Sequence, residues 1–122
     1  MGGKILVTED SPTILGILKS VLGEEGYEVV GAADGQQALD LVRNEKPDLI
    51  ILDLMLPKID GNKVCRMLKF DEKFKSIPII MLTARAKDDD EKLGKEVGAD
   101  AYLKKPFQPE EVIDQIKKLL HS

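Results

Sequence analysis

The sequence is poor in cysteine and contains no long apolar run. Cys65 is the single cysteine among 122 residues, which excludes an internal disulfide and suits a reducing compartment such as the cytoplasm. No stretch approaches the length of a membrane-spanning helix, and the first residues, Met-Gly-Gly-Lys, lack the profile of a secretion signal. We therefore expect a cytoplasmic protein with no membrane association.

The sequence also has few aromatic residues and no excess of positive charge. Aromatic residues make up 4% of the chain, and the net charge is -4. The first value disfavours base stacking, and the second disfavours contact with nucleic-acid phosphates. With 43% hydrophobic and 33% charged residues, the composition is typical of a globular domain with its own core. We expect residues 1–122 to form one domain without direct nucleic-acid contact.

Strand-like and helix-like segments alternate along the whole chain. Short apolar runs predict strands at 5–8, 29–32, 49–53, 78–83 and 101–103. Amphipathic segments predict helices at 12–25, at 35–45, from 61 onward, at 88–97 and from about 109 onward. This alternation indicates parallel βα units and hence an α/β, doubly wound sheet of the (βα)5 type.

Apolar spacing also predicts which helix residues face the core. The third predicted helix carries the apolar residues Val64, Met67 and Leu68. The predicted buried face of the last helix consists of Ile113, Ile116, Leu119 and Leu120. Cys65 and His121 are expected to be structural or incidental.

Asp53 closes an apolar run, 49–52, that is bounded by proline on both sides. Such a run is typical of a short strand buried on both faces. The carboxyl ends of the strands in an α/β sheet open on a crevice in which ligands bind. Asp53 is therefore a candidate for chemistry rather than for packing.

Polar residues follow other predicted strands at the same edge. Glu9 and Asp10 follow the first strand, Thr83 ends the fourth, and Lys105 follows the fifth. Each residue alone has an ordinary interpretation, such as a helix cap for the acidic pair or a surface position for the lysine. Together with Asp53 they predict a functional site, because the carboxyl ends of parallel strands share one edge.

Three carboxylates in one crevice repel one another unless cations neutralise them. Mg²⁺ characteristically takes a few carboxylate ligands and leaves positions for water and phosphate oxygens. A phosphoryl group could then be held by the metal, by Lys105 and by the Thr83 hydroxyl. An ionised carboxylate needs no general base to act as a nucleophile, so Asp53 could form an aspartyl phosphate.

The residues at this edge belong to a set of motifs that spans essentially the whole chain. In order, the motifs are Glu9-Asp10-Ser11, Asp53-Leu54-Met55-Leu56-Pro57 with Asp60-Gly61, Thr83-Ala84, Gly98-Ala99-Asp100-Ala101-Tyr102 and Lys105-Pro106-Phe107. Together they resemble the receiver domain of the response regulators of two-component signalling. The resemblance implies a flavodoxin-like sheet with the strand order 2-1-3-4-5.

The resemblance also implies a chemical function. Asp53 would receive a phosphoryl group from the phosphohistidine of a sensor histidine kinase or of a phosphotransfer protein. Glu9, Asp10 and Asp53, with the backbone carbonyl of Met55, would bind Mg²⁺, and Glu9 would do so through a water molecule. The chain would thus be a phosphoprotein that catalyses its own phosphorylation and dephosphorylation.

Further roles follow from the same resemblance. Thr83 and Tyr102 would form a switch, in which the hydroxyl moves toward the phosphoryl group and the ring turns inward. The signal would reach a downstream effector protein through the surface of the fourth predicted helix, the fifth strand and the last helix. Lys105-Pro106 would be a cis peptide bond. From the residue alone, plain packing is nearly as good an interpretation of Tyr102.

The first predicted helix has an apolar arc wider than one buried face requires. Ile14 and Ile17 could be core residues, or they could be exposed and meet a partner together with Pro106. Ala101 and Gln115 stand where many winged-helix regulators carry charged residues that join a dimer. Because of this difference, and because the chain stops after the fifth helix, we expect a stand-alone receiver. It would be a monomer or a weak phosphorylation-dependent dimer.

Two other classes of function share this fold. A phosphate-ester hydrolase with the same aspartyl chemistry usually has a second acid two residues after the nucleophile, where Met55 stands here. A phosphorylation-independent binding module, or a flavin carrier, is the other alternative. No Ser/Thr-rich phosphate loop follows the first strand, which argues against flavin.

Overall fold

Five parallel strands form one sheet in the computed structural model, which describes residues 3–83 and 98–121. The strands are β1 (Lys4–Thr8), β2 (Glu28–Ala32), β3 (Leu49–Asp53), β4 (Ile79–Thr83) and β5 (Ala101–Lys104). Their order in the sheet is β2-β1-β3-β4-β5, and every pairing is parallel. The predicted flavodoxin-like, doubly wound sheet is confirmed.

Four helices cover this sheet in the described part of the chain. They are α1 (Pro12–Glu24), α2 (Gly35–Glu45), α3 (Gly61–Lys69) and α4 (Pro109–His121). The helix predicted at 88–97 lies outside the described residues. None of the described helices combines the length and the apolar character that a membrane span requires.

Local capping explains where the first three helices begin. Each is preceded by a residue whose side-chain oxygen accepts a backbone N–H of the first turn, which satisfies a donor that the helix itself cannot. These N-caps are Ser11, Asp34 and Asp60. Ser11 and Asp34 come within three residues of the strand before them, and the Gly61 amide donates to the Leu54 carbonyl oxygen at 3.0 Å, so each of these helices begins near the carboxyl edge of the sheet.

The core lies on both faces of the sheet. All five residues of β3 and all five of β4 are buried, as expected for strands covered on both sides. One hydrophobic cluster fills the face under α2 and α3, and includes Leu6, Leu39, Ile50, Leu52, Val64 and Met81. The other fills the face under α1 and α4, and includes Ile5, Leu18, Leu22, Ile51, Leu82 and Ile116.

The structure corrects two details of helix burial. Met67 of α3 is 44% exposed, and Cys65 is fully buried beside Val64 and Leu68. Burial raises the pKa of the Cys65 thiol to about 11, so this thiol stays protonated and unreactive at neutral pH.

In α4, Val112 is fully buried like Ile116 but was missing from the predicted face. The remaining predicted residues of that face are only partly buried.

Candidate functional site

Three carboxylates meet at the carboxyl edge of the sheet. One oxygen from each of Glu9, Asp10 and Asp53 lies within 4.8 Å of the others. Glu9 follows β1 and Asp53 ends β3, and these two strands are neighbours in the sheet. Glu9 is 1% exposed and Asp53 is 2% exposed, whereas Asp10 faces solvent. The cluster thus offers several oxygen ligands and an open side, which is the donor chemistry that a hard divalent cation takes.

Lys105 brings a positive charge into this cluster. Its Nζ lies 2.9 Å from Glu9 Oε2 and 2.9 Å from Asp53 Oδ2. Its backbone N–H donates to the carbonyl oxygen of Thr83 at 2.6 Å, which anchors the chain after β5 to the end of β4. The peptide bond between Lys105 and Pro106 is cis, as predicted.

The pKa values of Glu9 and Lys105 indicate that Lys105 neutralises only part of the negative charge of the cluster. Burial, opposed by the Lys105 hydrogen bond and assisted by the charge of Asp53, raises the pKa of Glu9 to about 7. Burial lowers the pKa of Lys105, but its hydrogen bonds to Glu9 and Asp53 and their charges outweigh this effect and raise it. Three carboxylates with one ammonium group favour a further cation.

The backbone after β3 holds Asp53 in place. The amide of Met55 donates to Asp53 Oδ1 at 3.0 Å, and the amide of Leu54 donates to the Leu82 carbonyl oxygen at 2.8 Å. The Met55 side chain is 56% exposed. Gly61, at the start of α3, passes so close that a Cβ there would overlap the carbonyl oxygen of Asp53. In the sequence Asp60-Gly61 is only part of a motif and stands at the start of the third predicted helix, so the contact of Gly61 with the Asp53 backbone is a finding of the structure.

The two predicted switch residues occupy different places. Thr83 is fully buried at the end of β4, one residue beyond Leu82, which pairs with Asp53 in the sheet. Tyr102 is half-buried in β5 and packs against the hydrophobic cluster on the α2–α3 face. Thr83 therefore belongs to the edge of the site, whereas the described position of Tyr102 is one of packing.

The three predicted docking residues line one groove. Ile14, Ile17 and Pro106 border a space of about 400 Å³ together with Lys105, Phe107 and Pro109. Ile17 is 48% exposed, so the apolar arc of α1 is indeed wider than its buried face. Sequence reasoning missed Phe107 and Pro109, although an aromatic residue directly after Lys105-Pro106 was the available signal. This groove, which we call the docking groove after the predicted role of its residues, adjoins Lys105 and hence the acidic cluster.

Comparison with known proteins places the chain among signalling proteins. The family model of the response regulator receiver domain matches residues 5–117. The chain is 47% identical to the alkaline phosphatase synthesis transcriptional regulatory protein PhoP of Bacillus subtilis, over 98% of this chain and 49% of that protein. The chain spans about half the length of the curated relatives it matches.

Solved structures are similar over nearly the whole chain. The chemotaxis response regulator CheY4 of Vibrio cholerae has a TM-score of 0.92 and 33% identity, covering 98% of this chain and 100% of that one. The receiver domain of sensor histidine kinase PA1611 from Pseudomonas aeruginosa, with a magnesium ion coordinated in its active site cleft, has a TM-score of 0.91 and 33% identity, covering 100% of both chains. This chain therefore belongs to the response regulator receiver domain family.

Proposed function

We propose that this receiver domain accepts a phosphoryl group on Asp53 in a Mg²⁺-dependent reaction and signals by changing the partner that it binds. The donor would be the phosphohistidine of a sensor histidine kinase or of a phosphotransfer protein. The observation that carries the proposal is the contact of Lys105 Nζ with both Asp53 and Glu9, each at 2.9 Å. The Asp53 carboxylate thereby lies next to the positive charge of Lys105 on one side and near the carboxylates of Glu9 and Asp10 on the other.

The residues present fit a magnesium site. Glu9, Asp10 and Asp53 supply carboxylate oxygens within 4.8 Å of one another, and the carbonyl of Met55 is the proposed further ligand. Burial, assisted by the charge of Asp53, raises the pKa of Glu9, so a further positive charge beside this carboxylate would be favourable. When bound, Mg²⁺ would neutralise charge on the carboxylates and on the phosphoryl oxygens. The magnesium-bound receiver domain of PA1611 supports this assignment.

The transfer step balances without a general base. An oxygen of the ionised Asp53 carboxylate attacks phosphorus, and the new O–P bond forms as the P–N bond to the donor imidazole breaks. The departing nitrogen keeps the electron pair of that bond, and the donor ring, which is protonated on its other nitrogen, leaves as neutral imidazole. Lys105, which holds Asp53 Oδ2 at 2.9 Å, would then pair with the phosphoryl oxygens, and the Thr83 hydroxyl would donate to one of them. Positioning and charge carry the catalysis.

The donor protein would dock in the groove lined by Ile14, Ile17 and Pro106. This groove borders Lys105, so a helix or loop seated there would lie next to the phosphorylated edge. Its lining is mostly apolar, with Ile17 half exposed, which suits the apolar face of a partner. The net charge of -4 supports protein, rather than nucleic acid, as the direct partner of this domain.

The output would be a shift between two conformations of the surface around β5 and α4, to which the helix predicted at 88–97 would contribute. Thr83 and Tyr102 lie on the adjacent strands β4 and β5, so movement of the hydroxyl could be coupled to movement of the ring. The downstream effector would recognise the shifted surface. We expect the domain to be a monomer, or a weak dimer that forms on phosphorylation.

Mass measurement tests the proposal. Acetyl phosphate with Mg²⁺ should add one phosphoryl group to the wild type and to Asp114→Asn, an exposed acid of α4. It should add none to Asp53→Asn, and none to the wild type after the metal is chelated. Labelling of Asp53→Asn at the wild-type level, or an unmodified wild type, would refute the assignment. Turnover of a generic phosphate ester would instead favour the hydrolase alternative.

A further inference from the structure

A second groove lies at the end of the sheet opposite Asp53. It is lined by Arg43, Lys46, Pro47, Lys73, Phe74 and Ile77 and encloses about 760 Å³. Pro47 precedes β3, whereas Asp53 ends that strand, so the strand separates the two places by about 20 Å. This basic groove, as we name these six residues, is therefore distinct from the phosphorylation site and from the docking groove.

The charge of the basic groove is of one sign. Three of its six lining residues are cations, and none is a carboxylate. Within residues 3–83 and 98–121, Lys46 and Lys73 make no ion pair. Arg43 contacts Asp40 only at 3.8 Å, with both side chains more than half exposed, a pair worth little. This local excess of positive charge contrasts with the net charge of -4.

Helix electrostatics explains part of this arrangement. Arg43 and Lys46 lie at the carboxyl end of α2, where cations interact favourably with the helix dipole. Lys73 lies in the connection after α3, four residues past its last residue, Lys69, and has no such role. Interaction with the helix dipole therefore explains the positions of Arg43 and Lys46 but not that of Lys73.

The floor of the basic groove is apolar and continues along α3. Phe74 and Ile77 pack against the core cluster from the solvent side. A smaller depression of about 50 Å³ shares Arg43 and Phe74 with the basic groove and is also lined by Met67, which is 44% exposed, and by one carboxylate, Asp71. The basic groove itself therefore combines three cations with the apolar side chains of Pro47, Phe74 and Ile77, and the carboxylate of Asp71 lies outside it, in the depression that reaches Met67. A compact anion such as phosphate would leave this floor uncovered.

We propose that the basic groove binds an acidic peptide segment of a partner protein that carries apolar side chains between its carboxylates. The carboxylates would pair with Lys46, Lys73 and Arg43, and an apolar side chain would lie on Phe74 and extend toward Met67. Charge complementarity selects an anionic occupant, and the apolar floor selects a peptide over a nucleic acid. A nucleic acid would need more phosphate contacts and more than one stacking aromatic.

Binding here would be compatible with the proposed phosphotransfer. The basic groove and the docking groove lie at opposite ends of the sheet, so two partners can occupy the domain at once. The proposal does not depend on Asp53, because no residue of the basic groove contacts the acidic cluster in the described structure. The Asp53→Asn variant should therefore bind the acidic peptide as tightly as the wild type does.

The test is a titration followed by amide chemical shifts, with a peptide of alternating glutamate and leucine as the probe. We expect shifts confined to Arg43, Lys46, Lys73, Phe74 and their neighbours. The variant Lys73→Glu should bind roughly tenfold more weakly, because it replaces an attraction by a repulsion. The same charge change at the exposed Lys118 of α4 should leave the affinity within about twofold.

A second variant and two further probes separate the alternatives. Met67→Gln keeps the size and helix propensity of the residue but removes apolar surface. It should weaken the binding of the glutamate–leucine peptide more than the binding of an oligoglutamate of equal length. The proposal fails if oligoglutamate binds as tightly as the mixed peptide. It also fails if Lys118→Glu weakens binding as much as Lys73→Glu, or if a short DNA duplex binds the groove more tightly than either peptide.

Discussion

The ammonium nitrogen of Lys105 lies 2.9 Å from Asp53 Oδ2 and so joins two strands that do not touch in the sheet. β5 and β3 are separated by β4, and the two residues are 52 positions apart in the chain. The same nitrogen lies 2.9 Å from Glu9 Oε2. One side chain therefore ties together the carboxyl ends of β1, β3 and β5, and it balances part of the charge that accumulates there.

Replacing this lysine should destabilise the metal-free protein in a pH-dependent way. Lys105→Met leaves Glu9 and Asp53 buried without their shared cation, which we expect to lower the free energy of unfolding by about 2 kcal/mol at pH 8. At pH 5 the loss should be smaller, because protonation of Glu9 relieves the repulsion. Urea unfolding at both pH values measures the effect. Lys118→Met, at an exposed position, should change stability by less than about 0.5 kcal/mol.

The raised pKa of Glu9 predicts the sign of a second pH effect. Its folded-state pKa of about 7 lies above the ordinary value of 4.5, so the folded protein holds this proton more tightly than the unfolded chain does. The resulting stabilisation is fully present below pH 4.5 and is lost as the pH rises to about 7. We expect Glu9→Gln to lack this decline.

The measurement is the difference in unfolding free energy between wild type and Glu9→Gln, without metal, from pH 4 to pH 8. The difference should change across the window between the two pKa values and be flat above it. Because Mg²⁺ competes with the proton on Glu9, the affinity of the wild type for Mg²⁺ should rise with pH up to about 7. A pH-independent affinity over that range would contradict the assignment of Glu9 as a ligand.

The contact between Gly61 and the Asp53 backbone predicts unequal effects of two alanine substitutions. A Cβ at Gly61 would overlap the Asp53 carbonyl oxygen, which cannot move without moving Asp53, the proposed phosphoacceptor. We expect Gly61→Ala to cost about 2 kcal/mol of stability and to slow phosphorylation by acetyl phosphate. Gly23→Ala, in α1, meets no atom within 4 Å and should instead stabilise by about 0.5 kcal/mol. Thermal unfolding of both variants decides the matter.

If the docking groove binds the donor protein, Ile17→Ser should slow phosphorylation by a sensor kinase but not phosphorylation by acetyl phosphate. Ile17→Ser removes a side chain that is 48% exposed, so phosphorylation by acetyl phosphate should be unchanged. Transfer from a phosphorylated sensor kinase that acts on the wild type should slow roughly tenfold, as for loss of an apolar contact at an interface. Met67→Ser, which alters an apolar residue of similar exposure on α3, should affect neither rate. Equal slowing of both routes by Ile17→Ser would place Ile17 in the chemistry instead.

The predicted elements agree with the structure where local chemistry decides them. The runs 49–52 and 79–82 form strands because continuous apolar character suits a strand covered on both faces. Helices begin at Pro12, Gly35 and Gly61 because the preceding polar side chains cap them. These preferences depend on neighbours along the chain, so the sequence contains them directly.

Helix faces and backbone contacts were less predictable. Met67 and Cys65 are both apolar and two residues apart, and only the seating of α3 on the sheet decides that Cys65 is buried and Met67 is exposed. The same holds for Val112 of α4, which neighbours the predicted Ile113. The basic groove has contributions from two segments, α2 and the connection after α3, whose proximity no local pattern indicates.

The sequence by itself determined the order of strands and helices and the presence of carboxylates, a hydroxyl and a lysine after particular strands. Only the tertiary structure decided that Lys105 reaches past β4 to contact Asp53 and Glu9, and that burial raises the pKa of Glu9 to about 7. The physical reason is the distance along the chain over which each interaction acts. Backbone conformation depends on neighbouring residues, whereas distances between strand ends and the loss of water around a charge arise only when segments far apart in the chain pack together.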